Sequence, residues 1–437
     1  MILPTRRLAG WVASLGVLTA VAILLPELRL FALLGDAVLA AAAVLDALAC
    51  PGLRSIHIRR LRPDRLPRGR EALFHYEIEH RGGRQPIAGS ILDTWPLSFE
   101  ELETPPRFAV APGEHVTLPA KALPSVRGEH TLGPVFVRLE SMLGLWESRG
   151  KVDLPEAVHV DPTPVGVIDG IRRVRALLRQ QGARLVRVKG RATEFEQLRD
   201  YVMGDDIRSV DWKATARRAK VTVRDYRTER NREVSIVLDV GRKSATRFQG
   251  ASKLDASLDA LLGLSRVALE AGDRVGWIAF AAKPVLEVAA RRGIAQYSQI
   301  FDATRWLAPD RAESSLLAAL RHHRATHRKR AFVLLVTDLP DPVSAKRLVP
   351  ALAALARRHE LLFAAVDDPE RRALEEMPIR TADDAYLVAG ARRIRRERLE
   401  VLADLRRYGV RSMDVTPDGL SGPVIDAYLA AAAEEAF

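Results

Sequence analysis

Three apolar runs in the second half of the chain each stop at an acid. Residues 234–238 end at Asp239, residues 331–337 at Asp338 and residues 361–366 at Asp367. Such runs are too short for long helices. They are too continuously apolar for strands with one wet face, and they suit strands buried on both sides. Between them the hydrophobic period changes. Residues 253–271 carry Leu254, Leu258, Leu261, Leu262, Leu264, Val267 and Leu269 at helical spacing, then Gly272, a natural C-cap. Residues 314–326 and 345–358 read as further helices, and 274–280 and 285–288 as further strands. An Arg-rich helix over 391–407, a strand over 411–415 and an Ala-rich terminal helix complete the series. This alternation predicts an α/β domain with a mostly parallel sheet covered on both faces. It places the acids at the C-terminal tips of strands, the edge where open sheets of this class bind ligands.

The N-terminal end is built differently. Residues 8–25 contain no charge, and residues 30–49 form a second apolar run interrupted only by Asp36 and Asp46. At about 1.5 Å rise per residue, each nearly spans a hydrocarbon core of roughly 30 Å. A transmembrane helical hairpin competes here with a cleaved signal peptide. The second apolar run and the lack of a small-x-small site after the first argue for the hairpin. Arg6 and Arg7 precede it. Arg54, Arg59, Arg60, Arg62, Arg65, Arg68 and Arg70 follow it, whereas the connecting turn sets Arg29 against Glu27. The positive-inside rule then puts both ends, and the bulk of the chain, on the cytoplasmic side of the inner membrane, a multi-pass arrangement. Asp36 is expected to pack against the partner helix or lie near the turn, and Asp46 to sit near the interface. The net charge of +12 fits an anionic inner leaflet. A single cysteine, Cys50, excludes an intrachain disulfide.

From residue 55 to about 161 the texture is short and alternating, as in 72–78, 116–118 and 135–139, with turns such as Arg81-Gly82-Gly83 and Ala111-Pro112-Gly113. This predicts a small β-sandwich. Residues 171–181 read as a connecting helix.

The densest polar run lies between these halves. It holds Glu194-Phe195, Leu198-Arg199, Tyr201, Gly204-Asp205, Arg208 and then Val210-Asp211-Trp212-Lys213-Ala214-Thr215-Ala216-Arg217. In that order it resembles the signature of the bacterial domain-of-unknown-function 58 family, E-F-x-x-L-R-x-Y followed by G-D-x-x-R-x-I-D-W-K-A-T-A-R. Residues 127–134, R-G-E-H-T-L-G-P, are similar to a second motif of the family, whereas Ser141-Met142-Leu143-Gly144-Leu145 keeps only the Gly-Leu of its D-P-F-G-L. The resemblance implies that residues 233–437 form a von Willebrand factor A-like (vWA-like), Rossmann-like domain. It also implies partnership with a MoxR-type AAA ATPase. The chain then divides into two transmembrane helices (1–52), a β-sandwich (53–165), a connector with the signature (166–232) and the vWA-like domain (233–437).

Metal-binding domains of that kind hold Mg²⁺ through D-x-S-x-S, a later Thr and a late Asp. Mapped by the resemblance, those positions are Asp239, Gly241, Lys243, Ser314 and Asp338. Both carboxylates stay and both first-loop hydroxyls are lost, so no cofactor is expected, a residual Mg²⁺ site being the exception. A charged Lys cannot be a ligand. Lys243 either takes the place of the cation between Asp239 and Asp338 or points to solvent. A register shift that recruits Ser244 or Thr246 for metal is the third option.

In the signature, the alternating signs of Arg199, Asp205, Arg208, Asp211, Lys213 and Arg217, with Tyr201, Gly204 and Thr215 among them, predict a network that fixes a loop, with Trp212 as the apolar plug beneath it. The alternative is a metal-dependent hydrolase using Asp205, Asp206 and Asp211. His323 and His327, four apart beside His322, suit a metal face but lack a third ligand, and a solvated basic helix is the plainer account. The Arg-rich helix lacks aromatic interleaving, so nucleic acid is not an expected partner, though a basic nucleic-acid binder is a further alternative. The sequence thus points to a membrane-anchored, non-enzymatic scaffold or adaptor that assembles or remodels protein complexes.

Overall fold

The computed structural model describes residues 1–82, 85–185, 194–202, 210–218, 220–227, 232–248, 250–339 and 342–434. They form two compact units, residues 1–163 and 164–437.

The first unit opens with a short strand, Ile2–Pro4, followed by two helices, α1 (Arg6–Leu24) and α2 (Arg29–Leu48). Both are long and apolar enough to cross a membrane, and both leave most of their surface uncovered. Thr19 donates to Asp36 across the pair at 3.1 Å, so the Asp in the second run meets the partner helix. Asp46, in the last turn of α2, is buried and accepts three hydrogen bonds: from Ser141 Oγ (2.5 Å), Leu143 N (2.8 Å) and Leu145 N (3.0 Å). Trp146 Nε1 donates to Ala43 O, and Thr5 Oγ1 to Gly144 O. The loop over 141–145 is therefore fixed by a carboxylate from the apolar helix.

The remainder of this unit is β-structure. Strand Ala72–His80 buries every second residue, from Ala72 through Phe74, Tyr76 and Ile78 to His80, as a period of two requires. A four-stranded sheet, a five-stranded sheet and a three-stranded sheet contribute to one apolar core. Inside it Arg60 pairs with Asp93 at 2.6 Å, both side chains 1% exposed, and Tyr76 donates to the same carboxylate.

The second unit runs α3 (Val167–Leu185), β1 (Glu194–Asp200), α4 (Trp212–Arg218), β2 (Thr222–Arg227), β3 (Glu233–Asp239), α5 (Lys253–Glu270), β4 (Arg274–Phe280), β5 (Pro284–Arg291), α6 (Ile294–Thr304), α7 (Leu316–Thr326), β6 (Phe332–Thr337), α8 (Pro342–Arg358), β7 (Glu360–Val366), α9 (Pro369–Glu376), α10 (Ala382–Arg407), β8 (Arg411–Val415) and α11 (Ser421–Glu434). Six strands form one sheet in the order β5-β4-β3-β6-β7-β8. Every pairing is parallel except β4 with β5. Alternate residues feed two cores. Ile236, Leu334 and Leu362 pack with α5 and α11 on one face, while Val237, Leu335 and Phe363 pack with α7, α8 and α10 on the other. The uninterrupted apolar strands follow from this double cover.

β1 and β2 form a separate antiparallel ribbon, and α4 lies between them in sequence.

Candidate functional site

Four acids gather where the parallel strands end. Asp239 closes β3, Asp338 and Asp367 directly follow β6 and β7, and Asp414 lies in β8. Each is engaged by groups of the same unit. Asp239 Oδ1 accepts from Ser314 Oγ (2.5 Å) and Gly241 N (2.8 Å), and Oδ2 from Thr337 Oγ1 (2.5 Å). A Cβ on Gly241 would meet Ser314 Oγ at 2.0 Å, so the approach of Ser314 to Asp239 requires glycine there. Asp239, Gly241 and Ser314 are thus brought together.

Asp338 is held by two cations. Lys253 Nζ lies 3.2 Å from Oδ2, and Arg398 Nη1 donates to Oδ1 at 3.0 Å. The Lys253 side chain is 6% exposed. Lys243, which the mapping aligned with a lost hydroxyl, is exposed on a short 3₁₀ turn (Arg242–Ala245) at the mouth of the same cleft. The base that the fold sets against Asp338 therefore comes ten residues later, from the first turn of α5. A signal for it was present. A lysine at the first position of a helix opposes the macrodipole, and the Ser252–Asp255 capping box marks that position. Such a lysine is recruited by a tertiary partner.

Arg398 was also legible in principle. It sits on the buried stripe of α10 with Ala391, Val401, Leu402 and Leu405, where a charge needs a partner. It reaches Asp414 Oδ1 at 2.8 Å and Asp367 at 3.4 Å as well as Asp338. The α10 arginines 393 and 396 pair along the surface with Glu397 and Glu400, as expected of a salt-bridged face. Arg371 and Arg372 bind Asp367 from α9. Burial would raise the Asp367 carboxyl, but the hydrogen bonds from Arg371 and Arg372 and the charge of Arg398 outweigh it and hold it down at about 2.

Beside Asp239 and Asp338 is a pit of about 20 Å³ lined also by Lys243, Ser244 and Lys253. That is room for about one water, whereas Mg²⁺ retains several. Outside it lies a cleft of about 440 Å³ bordered by Lys243, Thr246, Arg371, Ile394 and Glu397. Among the described residues no group of three or more His, Cys, Asp or Glu could hold a metal ion. Replacing Lys253 by alanine should destabilise this unit by about 2–4 kcal/mol, because Asp338 keeps Arg398 but loses one of its two buried counter-charges. Lys243→Ala should stay within about 0.5 kcal/mol. Chemical unfolding of both variants checks the contrast.

The signature segment differs from expectation at its centre. Asp211 Oδ1 accepts from Lys213 N and Ala214 N at 3.0 Å each, which makes it the N-cap of α4. Thr222 N donates to Thr215 Oγ1 at 3.0 Å. Trp212, read as an apolar plug, is 66% exposed, and the small core beneath is Val210, Ala214 and Val223 instead. The reason is helical phase. Ala214 faces inward, and Trp212, two positions away, falls on the opposite side. Lys213 and Arg217 are exposed, and Tyr201 is partly so. Arg199 belongs to β1. Gly204, Asp205, Asp206 and Arg208 lie outside the described residues.

The histidines form neither a metal face nor a solvated one. His323 is fully buried, donates to or accepts from Ser235 Oγ at 3.1 Å, and stacks on His327 with centroids 4.4 Å apart and planes 4° apart. Stacked rings direct their nitrogens along parallel planes and do not converge on one ion. His359 meets His323 edge-on at 5.3 Å.

Residues 197–394 match the sequence profile of the family described as "Protein of unknown function DUF58". The matched segment, a little under half of the chain, is similar to that family. It begins within β1, ends within α10, and contains α4, Asp239, Asp338 and Asp367. Uncharacterized proteins of Mycobacterium bovis and Mycobacterium tuberculosis are each 27% identical over 242 residues, covering 54% of this chain and 71% of theirs. Among solved structures, the conserved hypothetical protein BatB from Bacteroides thetaiotaomicron aligns with a TM-score of 0.32 at 17% identity, covering 47% of this chain and 99% of that one. A FixG-related protein from Vibrio parahaemolyticus aligns at 0.18 and 12%, covering 24% and 96%.

Proposed function

We propose that the chain is a membrane-anchored, non-enzymatic adaptor whose DUF58-like unit is a vWA-like domain that binds a partner without its own metal. One observation carries this reading. At the sheet edge where a vWA domain would hold Mg²⁺, Lys253 and Arg398 already neutralise Asp338, and Asp239 is satisfied by two hydroxyls and an amide. The two apolar helices then serve as a transmembrane hairpin with both ends cytoplasmic, and the β-rich remainder of the first unit as a β-sandwich spacer. The partner class, by the DUF58 resemblance, is a MoxR-type AAA ATPase, and the work is assembly or remodelling of protein complexes at the membrane face.

The test uses the full chain in nanodiscs as bait in lysate of its own host. An AAA ATPase should be retained, and retention by the purified ATPase should persist when chelator replaces Mg²⁺ in the absence of nucleotide. Retention of no ATPase overturns the adaptor reading. The free chain should also show a Tm unchanged within about 1 °C on adding millimolar Mg²⁺, because a ligand stabilises only what it binds. A rise of several degrees would restore a metal site.

A further inference from the structure

We propose that Trp212 anchors a docking surface for a partner protein, one that presents an apolar pocket ringed by carboxylates. The proposal rests on the adaptor reading for the identity of the partner but not for the surface itself.

The indole is displayed by a frame. Asp211 caps α4 through two backbone amides, and Asp211 N donates to Thr222 O at 2.9 Å. Thr222 N returns a bond to Thr215 Oγ1, and Tyr201 N donates to Val221 O at 2.8 Å. These bonds pin α4 against one end of the β1–β2 ribbon. With Ala214 turned to Val210 and Val223, the helix has no freedom to roll Trp212 inward. The same bonds bring Tyr201, Val202 and Val221 to that end, where Val202 is 63% and Val221 44% exposed. A tryptophan left in water forgoes the largest burial a side chain can offer. Held rigid, it has little ordering entropy left to lose on binding. Aromatic anchors with arginine beside them are what dominate protein interfaces.

The rim gives the sign of the partner. Lys213 and Arg217 stand one turn apart on α4, Lys220 follows, and all three are exposed. Among the described residues at this end the acids are Asp200 and Asp211, and the Asp211 carboxylate is already used in the cap. An acidic partner face is complementary. A bilayer would be satisfied by an indole in many orientations, whereas the frame fixes one, which a shaped pocket can use.

The experiment places the photocrosslinker p-benzoylphenylalanine at position 212 of the full chain in its native cells, with a second chain carrying it at Lys243. The expected result is one protein adduct from position 212, mapped to an apolar pocket with acidic neighbours. Its yield should fall at least about tenfold when Lys213→Glu and Arg217→Glu are added, with the Tm held within a few degrees. In the purified pair, Trp212→Ala should weaken binding about 30-fold and Trp212→Phe much less. If the adduct is an AAA ATPase, both readings stand. If it is another protein with that pocket, the surface stands and the ATPase assignment falls. A lipid adduct, no adduct, or an adduct indifferent to the charge reversals overturns the surface.

Discussion

Arg398→Met should lower the stability of the 164–437 unit by about 3 kcal/mol, the largest effect expected of any single change on α10. The guanidinium is 10% exposed and bridges Asp338, Asp367 and Asp414. Burial works against its charge, but the hydrogen bond to Asp414 and the three carboxylates raise its pKa above the ordinary arginine value. Breaking a buried ion pair by removing one partner costs about 3–5 kcal/mol. The lower end applies because each acid keeps a second base. Lys253 remains on Asp338, Arg371 and Arg372 remain on Asp367, and Arg372 remains 3.4 Å from Asp414. Arg398→Lys should recover less than half of the loss, since a single ammonium cannot fork across three carboxylates. The buried Trp277 in the core of this unit offers a fluorescence probe of denaturant unfolding.

The same variant has a pH signature. Asp367 titrates at about 2 in the fold against an ordinary 3.8. A depressed carboxylate contributes stability above its unfolded pKa and loses it as pH falls through the folded value. The gap between Arg398→Met and the wild-type chain should therefore be constant from neutral pH to about 4 and narrow below 3.8. A gap that stays flat down to pH 2.5, or a loss under about 1 kcal/mol at pH 7, would show that Arg398 is not the keystone of the edge.

How much of this was legible in the sequence follows from what each signal reports. The continuous apolar runs ending on Asp239, Asp338 and Asp367 report burial on both faces, which is a local property of a parallel strand, and all three acids do gather at one edge. Which base meets them is a tertiary matter. The metal-loop pattern that follows Asp239 pointed to Lys243, but the helix that begins at Lys253 turns its first residue into the edge. α10 starts at Ala382, nine residues before the Arg-rich part, because Thr381 and Asp384 form a capping box. That S/T-x-x-D/E signal was readable, yet the run of arginines drew the boundary. In the signature, the alternation of signs predicted a loop-fixing network, and of it the described residues hold the Asp211 cap and the Thr222–Thr215 bond. That alternation could not give the phase of a seven-residue helix, so Trp212 was set inside when Ala214 holds that place. The β-rich part offers shorter periods, and Asp46 shows the limit clearly. A carboxylate in an apolar run announces a partner, but the three donors from residues 141–145 lie about a hundred positions away.

Acidification should destabilise the same α/β unit well before its carboxylates protonate, and His323 should account for most of the slope. Burial first, then the charges of His327, His359 and His322, push His323 from 6.5 to about 3. The groups facing it are Ser235, the stacked His327 and the edge of His359, while Glu233 lies 3.7 Å from His327 rather than from His323. None of these favours a charged His323. The unfolded chain thus binds a proton near pH 6.5 that the folded chain refuses until about 3. The stability tied to neutral His323 is complete above 6.5 and is lost as pH falls through that window. The slope approaches about 1.4 kcal/mol per pH unit, so about 2 kcal/mol should go between pH 6.5 and 5. Asp367 stays ionised throughout this range, which separates the two effects. His359 is shifted the same way by burial and adds a smaller share. His323→Gln keeps a hydrogen-bonding partner for Ser235 and cannot charge. It should cost about 1–2 kcal/mol at pH 7 through repacking, yet flatten the slope between pH 6.5 and 5 by nearly one proton. Urea unfolding at pH 5, 6 and 7 reads both numbers. Parallel slopes for the two proteins would mean that His323 opens to solvent or finds a counter-charge before it titrates, and that the stacked pair is looser than its 4.4 Å separation implies.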